Sequence, residues 1–351
     1  MKIGSIDLEH PVALAPMAGM TDTAFRRLVK RRGGCGMVVT EMVSSEGLVR
    51  GIDRTLEYAE YTEEERPVSI QIFGGDPAVM ADAAQVVQEM GADVVDINMG
   101  CPVPKIAKHH AGCSLMREPA HAASVVAAMV KAVKIPVTVK MRAGWNEREI
   151  NAPILARMAE DAGAAALAVH GRTAAQSYTG ESDWSLIEQV ASSVNIPVFG
   201  SGDCVSPEQA VSRLSGGRVS GVLIGRGALR NPWIFSQAAL AARGGTPAPI
   251  SLEEKGQFLL EYIDLLLTER VNEAEGFRHA APNQSSHAPA RGRERWVVNK
   301  LRALCAWYTK GLDGGAQLRV AVNTADSIGR LRQIICDFFG VKSDDMQAIG
   351  S

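Results

Sequence analysis

Residues 93–112, DVVDINMGCPVPKIAKHHAG, decide how the rest of the chain is read. Residues 94–97 form an apolar run with paired valines, the pattern of a strand buried on both faces. The run breaks into Asn98, Gly100, Cys101 and Pro102, followed by Lys105, Lys108, His109 and His110. A thiol on a loop at the C-terminal end of a buried strand is placed to react, and nearby cations tune its pKa. The competing view of Cys101 is a small buried hydrophobe, the usual fate of a free cysteine.

Working outward, short apolar runs recur at 12–16, 37–40, 68–72, 94–97, 137–141, 165–169, 197–200 and 221–224. The gaps between most of them hold segments with helical spacing, such as 78–90, 120–133 and 150–162. Eight such units in roughly 230 residues predict a (β/α)8 TIM barrel, with a doubly wound open sheet as the alternative. Polar residues gather at one end of the runs. Pro16, Met17 and Ala18 follow the first, Gln71 ends the third, and Asn98 and Cys101 follow the fourth. Lys140 and Arg142 end the fifth, and His170 and Arg172 the sixth. Ser201, Gly202 and Asp203 follow the seventh, and Gly225, Arg226 and Gly227 the eighth. This one-sidedness is expected of an enzyme, because barrel chemistry sits where strands end.

The alternation stops near residues 243–249, RGGTPAP, and the segments 252–270, 295–310 and 325–339 then read as helices. The predicted organisation is a barrel over residues 1–245 and a small helical domain over 246–351. The polar segment 276–294 between the first two helices is expected to be a mobile loop. The stretch from Arg278 to Arg319 holds eight Lys or Arg against Glu294 and Asp313, interleaved with Trp296, Trp307 and Tyr308. That pattern suits an RNA backbone, or a solvated helix face over core aromatics.

Composition narrows the options. A chain of 351 residues with 46% hydrophobic residues supports a large core, and 34 glycines suit many tight turns. A net charge of -2 gives no global field for nucleic acid. The six scattered cysteines form no CxxC pair, which favours reduced thiols. No metal-ligand spacing accompanies the His109–His110 pair. With no signal peptide and no apolar run of about 18 residues, the expected address is the cytoplasm, without a membrane.

The strand-end residues suggest their own ligands. The turns around Gly202 and Gly227, one of them beside Arg226, suit a phosphorylated cofactor or are simply tight turns. Lys140, inside the apolar run VTVKMR, needs an anion: the N1–O2 edge of a reduced flavin, or a barrel carboxylate such as Asp96. The Gln71 amide could pair with a uracil-like ring edge on a cofactor.

Together these motifs resemble the bacterial tRNA-dihydrouridine synthase family, most closely its B-type branch. The resemblance rests on 15–27 (APMAGMTDTAFRR), 71–74 (QIFG), 96–105 (DINMGCPVPK), 139–145 (VKMRAGW) and 169–184 (VHGRTAAQSYTGESDW). It extends to 200–203, 224–227 and 307–319 (WYTKGLDGGAQLR), and so covers nearly the whole chain. It implies an FMN-binding barrel, a helical tRNA-binding domain, and NADPH-driven reduction of selected D-loop uridines to 5,6-dihydrouridine. By position it implies Cys101 as the general acid that protonates C5. Pro16, Met17, Ala18, Gln71, Lys140, His170, Ser201, Gly202, Asp203, Gly225 and Arg226 are implied to hold FMN. Asn98, Arg142, Arg172 and Arg302 are implied to lie toward the substrate. No obligate protein partner is implied.

Three positions depart from the family pattern. Ser201 stands where Asn is usual, Cys113 stands where a small Ser is usual, and Arg302 alone matches the usual Arg-Lys-His before the Trp-Tyr pair. Two other functions compete. One is a flavin barrel reducing a small pyrimidine or enone, and the basic helical part argues against it. The other is an RNA-binding scaffold, against which Cys101, Lys140 and His170 argue.

Overall fold

A computed structural model describes residues 1–107, 110–268 and 290–342. Eight parallel strands form a ring: β1 (Val12–Leu14), β2 (Met37–Val39), β3 (Val68–Phe73), β4 (Val94–Met99), β5 (Val137–Arg142), β6 (Ala166–His170), β7 (Val198–Ser201) and β8 (Gly221–Ile224). Each strand pairs with its sequence neighbours, and β8 returns to β1 through Ile224 and Leu14. This closure is a (β/α)8 barrel; an open doubly wound sheet would leave two edges unpaired. β1 stops short of the expected Pro16 because a prolyl nitrogen cannot join a ladder. The Ala15 N–H still donates to the Ile224 carbonyl at 2.9 Å.

The pleat divides the core in two. Val95, Ile97, Met99, Val139, Met141, Leu167 and Val169 point outward and pack with the surrounding helices. Val94, Ala13, Met37, Val39, Ala166, Phe199 and Leu223 point inward and fill the lower barrel. Because side chains alternate along a strand, the same period carries Asp96 and Asn98 inward above Val94, and Lys140 and Arg142 inward above Thr138. A hairpin of two-residue strands, Lys2–Ile3 and Ile6–Asp7, closes the bottom with the fully buried Ile3. Strands that short carry no period to read, so the hairpin was not foreseen.

The connecting helices follow local signals. Asp76 caps helix Pro77–Glu89 by accepting from the Ala78 and Val79 amides. Ser206 and Gln209 form a capping box on helix Pro207–Gly216. After helix Ile234–Ala242 come Leu252–Thr268, Ala290–Tyr308, Gly315–Thr324 and Ile328–Phe339, with no strand among the described residues. Phe258 joins these helices to the barrel. It meets Phe25 edge-on at 6.2 Å and stacks on Tyr308 at 5.5 Å.

Helix Gly315–Thr324 was not expected; it follows Gly314, whose φ of 69° only glycine adopts readily. Helix Ile328–Phe339 begins later than expected because the Ser327 hydroxyl caps it, accepting from the Arg330 amide. Lys108, His109 and residues 276–289 of the expected mobile loop lie outside the described residues. Its last five residues, 290–294, begin helix Ala290–Tyr308.

Candidate active site

The inward polar residues rise in register toward the C-terminal mouth. Gln71 pairs with Asp96 across β3 and β4, Asn98 with Lys140 across β4 and β5, and Arg142 with His170 across β5 and β6. Asp96, buried at the lowest level, accepts from Gln71 Nε2 and from Thr138 Oγ1, both at 2.6 Å. Burial raises its pKa despite these bonds. Gln71 Oε1 in turn accepts from Asn98 Nδ2 at 2.7 Å. Both ends of the Gln71 amide are therefore engaged in the barrel wall. Asn98 Oδ1 accepts from the amides of Gly100 and Cys101 at 3.1 and 2.9 Å, which folds the strand end back and presents the thiol.

Arg142 holds the other side of that loop. Its Nε donates to the Gly100 carbonyl at 2.8 Å, and its Nη1 to the carbonyls of Thr173 and Ser177 at 2.9 Å each. Cys101 is half-buried. Burial pushes its thiol above the ordinary value, outweighing the Val103 amide and the charges of Arg142 and Lys140. Burial therefore outweighs the nearby cations, and the proton stays on the Cys101 sulfur at neutral pH.

Lys140 is the complement. Burial draws its ammonium down to about 8, helped by Arg142 and opposed by Asp96 and Cys101. Among the described residues no group forms an ion pair or hydrogen bond with it; the charge of Asp96 acts on it only at longer range. His170 is buried and held near about 2 by desolvation and the charges of Lys140, Arg142, Arg172 and Arg226, so it is neutral. Its Nε2 accepts from Arg172 Nη1 at 3.4 Å, which leaves the proton on Nδ1.

These groups share an open cleft of about 630 Å³. Pro16, Met17, Ala18, Gln71, Asn98, Cys101, Lys140, Arg142, His170 and Arg226 line it. Ser201, Gly202, Asp203 and Gly225 line an adjoining niche of about 90 Å³, which shares Lys140, His170 and Arg226 with the cleft. Gly202 is at φ 128°, and a Cβ there would strike the Ser182 side chain. A Cβ on Gly227 would strike the Cys204 carbonyl. Glycine is thus required at both turns by close packing against the neighbouring chain, and Arg226 lies partly exposed at the rim of the niche.

Two expected substrate contacts are placed elsewhere. Arg172 is 2% exposed. Its Nη2 donates to both Asp203 carboxylate oxygens at 3.0 and 2.9 Å and to the Gly180 carbonyl at 2.6 Å, and its Nε to the Thr179 carbonyl at 3.1 Å. It braces the niche from behind and lines neither space. Arg302 turns into the helical segments, donating to the carbonyls of Ala325 at 2.8 Å and Val322 at 3.5 Å and to Asn299 Oδ1 at 3.1 Å. The Asp203, Val322 and Ala325 acceptors are distant in sequence, so the local pattern did not mark either arginine as spent. The cleft also contains Met20, Met42 and Tyr178, which had not been singled out, and Trp307 from the basic, aromatic stretch. Tyr178 is 58% exposed, with the guanidinium groups of Arg226 and Arg142 at 4.9 and 5.6 Å from its ring. Its place in the motif HGRTAAQSYTG was the available signal.

Among the described residues there is no cluster able to hold a metal ion, and no helix long and apolar enough to cross a membrane.

The comparisons with known proteins agree with this geometry. The fold resembles that of morphinone reductase in complex with tetrahydroNAD, at a TM-score of 0.51 and 15% identity, covering 71% of this chain and 92% of that one. The "Probable tRNA-dihydrouridine synthase" of Rickettsia bellii is 37% identical over 342 residues, 97% of this chain and 98% of the relative. "tRNA-dihydrouridine synthase B" of Pseudomonas aeruginosa is 44% identical over 264 residues, 75% of this chain and 79% of the relative. The protein of that name in Xanthomonas campestris pv. campestris is 37% identical over 340 residues, 97% of this chain and 96% of the relative. A family profile described as "Dihydrouridine synthase (Dus)" matches residues 13–327. The chain belongs to the dihydrouridine synthase family.

Proposed function

We propose that the chain reduces uridines in the D-loop of tRNA to 5,6-dihydrouridine, using FMN in the barrel and NADPH as reductant. The observation that carries this reading is the pairing of a neutral thiol, Cys101, with an unpartnered ammonium, Lys140, on one cleft. When bound, FMN supplies the hydride that reaches C6 of the uracil ring. The residues present fit such a group. Lys140 offers its charge to an anionic ring edge, and the niche of Ser201, Gly202, Asp203, Gly225 and Arg226 offers backbone and a guanidinium to a phosphate. Pro16, Met17 and Ala18 supply the facing wall.

Hydride addition at C6 leaves an enolate, and the carbon at C5 then needs a proton. Cys101 supplies it, because a thiol held protonated by burial has a proton to give at neutral pH. Asn98 and Arg142 fix the loop from which the thiol reaches, and neutral His170 donates through Nδ1 without adding charge. Gln71 acts by orienting Asn98. The target base leaves its stack to enter the cleft, at a cost of a few kcal/mol. The helical segments after about residue 246 form the proposed tRNA-binding domain, with phosphate contacts offsetting that cost. The protein is proposed to act in the cytoplasm without an obligate protein partner.

The test is to incubate the purified protein with unmodified tRNA transcript and NADPH and to digest the RNA for nucleoside mass spectrometry. Dihydrouridine at a defined D-loop position is the expected result. NADPH oxidation with free uracil but none with tRNA would move the assignment to a small-molecule reductase.

A further inference from the structure

Helix Ala290–Tyr308 sends Lys300 toward the barrel mouth. Its ammonium lies 2.9 Å from Asp22 Oδ2, 3.4 Å from Glu41 Oε1 and 3.0 Å from the Gly19 carbonyl. The Lys300 side chain is only 12% exposed, and those of Asp22 and Glu41 are 12% and 6% exposed. Each acceptor has a second duty. Asp22 Oδ1 caps helix Thr23–Arg31, while Asp22 Oδ2 also accepts from the Tyr262 hydroxyl at 2.7 Å. Glu41 Oε2 accepts from the Gly19 N–H at 2.5 Å. Both backbone polar groups of Gly19 are therefore held, one by Lys300 directly and one by its ion-pair partner.

Gly19, at φ 78°, sits in a tight turn whose Met20 and Thr21 amides both donate to the Met17 carbonyl. Met17, Ala18 and Met20 of this turn line the same cleft as Cys101. Two helical turns beyond Lys300, Trp307 lines that cleft as well, on the face Lys300 shares. One buried cation thus connects a cleft-lining turn of the barrel to the helix that carries the aromatic opposite number.

We propose that Lys300 is a positioning residue. It ties helix Ala290–Tyr308 to the turn at Gly19, so that the seat of the helical segments and the wall of the cleft are set together. This rests on the proposed reduction of a tRNA uridine. RNA held by the helical segments then meets the cleft in register only while the tie is intact. The role is alignment and not RNA affinity, because the ammonium is enclosed and two carboxylates already satisfy its charge. Misplacement of a reacting group by about 1 Å costs on the order of a hundredfold in rate, so the effect belongs in kcat.

Lys300→Met alone would strand two buried carboxylates, so the main test uses Lys300→Met with Glu41→Gln. The glutamine keeps an acceptor for the Gly19 N–H and removes one of the charges. Native and variant holoenzymes would be compared for FMN content, flavin reduction by NADPH, kcat and KM on tRNA, and amide exchange at residues 19–21. In the double variant, FMN content, flavin reduction and the tRNA KM are expected to stay within about threefold of native, while kcat falls about tenfold or more. The amides of residues 19–21 should exchange about tenfold faster, with those of helix Thr23–Arg31 unchanged. Lys300→Arg should recover most of the kcat.

A double variant with native kcat, or with native exchange at residues 19–21, overturns the positioning role. So does a kcat loss that only follows lost FMN or lost melting temperature, since the residue would then merely hold the fold. A native protein that makes no dihydrouridine overturns the functional proposal and this role together; an active native enzyme matched by its variant overturns this role alone.

Discussion

Lys140, half-buried, and Arg172, buried, are both cations at strand ends of one barrel mouth, and they have opposite fates. Arg172 is surrounded by acceptors: the Asp203 carboxylate and the carbonyls of Thr179 and Gly180 consume its donors. Lys140 has no such acceptors: Asp96 is turned to Gln71 and Thr138, and no ion pair or hydrogen bond to Lys140 forms among the described residues. The difference teaches that a charge at a strand end becomes a ligand site only where the fold leaves it unspent. Positive charge and a place at a strand end, which are what a sequence displays, are alike for both. Cys101 falls on the unspent side, with its amide and carbonyl held by Asn98 and the Cys113 amide while its thiol stays free to act.

The sharpest way to break this comparison is to remove the proposed proton donor. Cys101→Ala should lower dihydrouridine formation by roughly 10² to 10⁴-fold, the range for general acid catalysis, while FMN content, flavin reduction by NADPH and melting temperature stay at native values. The pH profile carries the same claim. The acid form is the active one and burial raises its pKa. The step that needs the thiol should therefore be level through neutral pH and decline as pH rises through that elevated value, above any fall near 8 from loss of the Lys140 charge. A high-pH limb in single-turnover assays that is unchanged in Cys101→Ala would remove Cys101 from the role.

Next in size, Arg172→Ala and Lys140→Met should move stability in opposite senses. Removing Arg172 leaves the Thr179 and Gly180 carbonyls without their donor and Asp203 with only the Ser182 amide and Arg226, at a cost of about 2 kcal/mol, seen as a lowered thermal midpoint. Removing Lys140 deletes an unpartnered, half-buried charge, so the apoprotein should melt at the same temperature or higher. FMN affinity of that variant should fall by roughly tenfold to a hundredfold, as expected for one lost charge-assisted contact. A Lys140→Met apoprotein that melts well below native would mean that the ammonium has a structural partner after all.

Much of this arrangement was legible before any coordinates. The period-two runs placed Asn98, Lys140, Arg142 and His170 at one end of the barrel, and glycine spacing marked the niche at Gly202 and Gly227. Those are local signals. What stayed illegible depends on contacts distant in sequence: Arg172 reaching Asp203, Arg302 reaching Ala325, and Lys300 reaching Asp22 and Glu41. The alternative partner considered for Lys140, Asp96, forms no direct ion pair with it among the described residues, although its charge still acts on the ammonium. Elements were missed where they were too short for a period, as in the hairpin at Ile3, or only weakly patterned, as in helix Gly315–Thr324.

The smallest effect is expected at Arg302, and it extends the comparison to the helical segments. Its side chain lies across the C-terminal end of helix Gly315–Thr324 and donates to the Val322 and Ala325 carbonyls. A cation there satisfies end-of-helix acceptors and complements the helix dipole. Like Arg172 it is spent, so Arg302→Ala should cost about 1 kcal/mol in stability and leave the tRNA KM within about twofold. Lys310 is exposed, its ammonium resting 4.1 Å from the centre of the Trp307 ring that lines the cleft. It has charge to spare for a phosphate. Lys310→Ala should raise the tRNA KM and reduce the salt dependence of binding by about one counterion, with little change in melting temperature. Should Arg302→Ala produce that salt signature instead, the guanidinium must leave its helix end when RNA arrives, and the division between spent and unspent cations would hold only for the free protein.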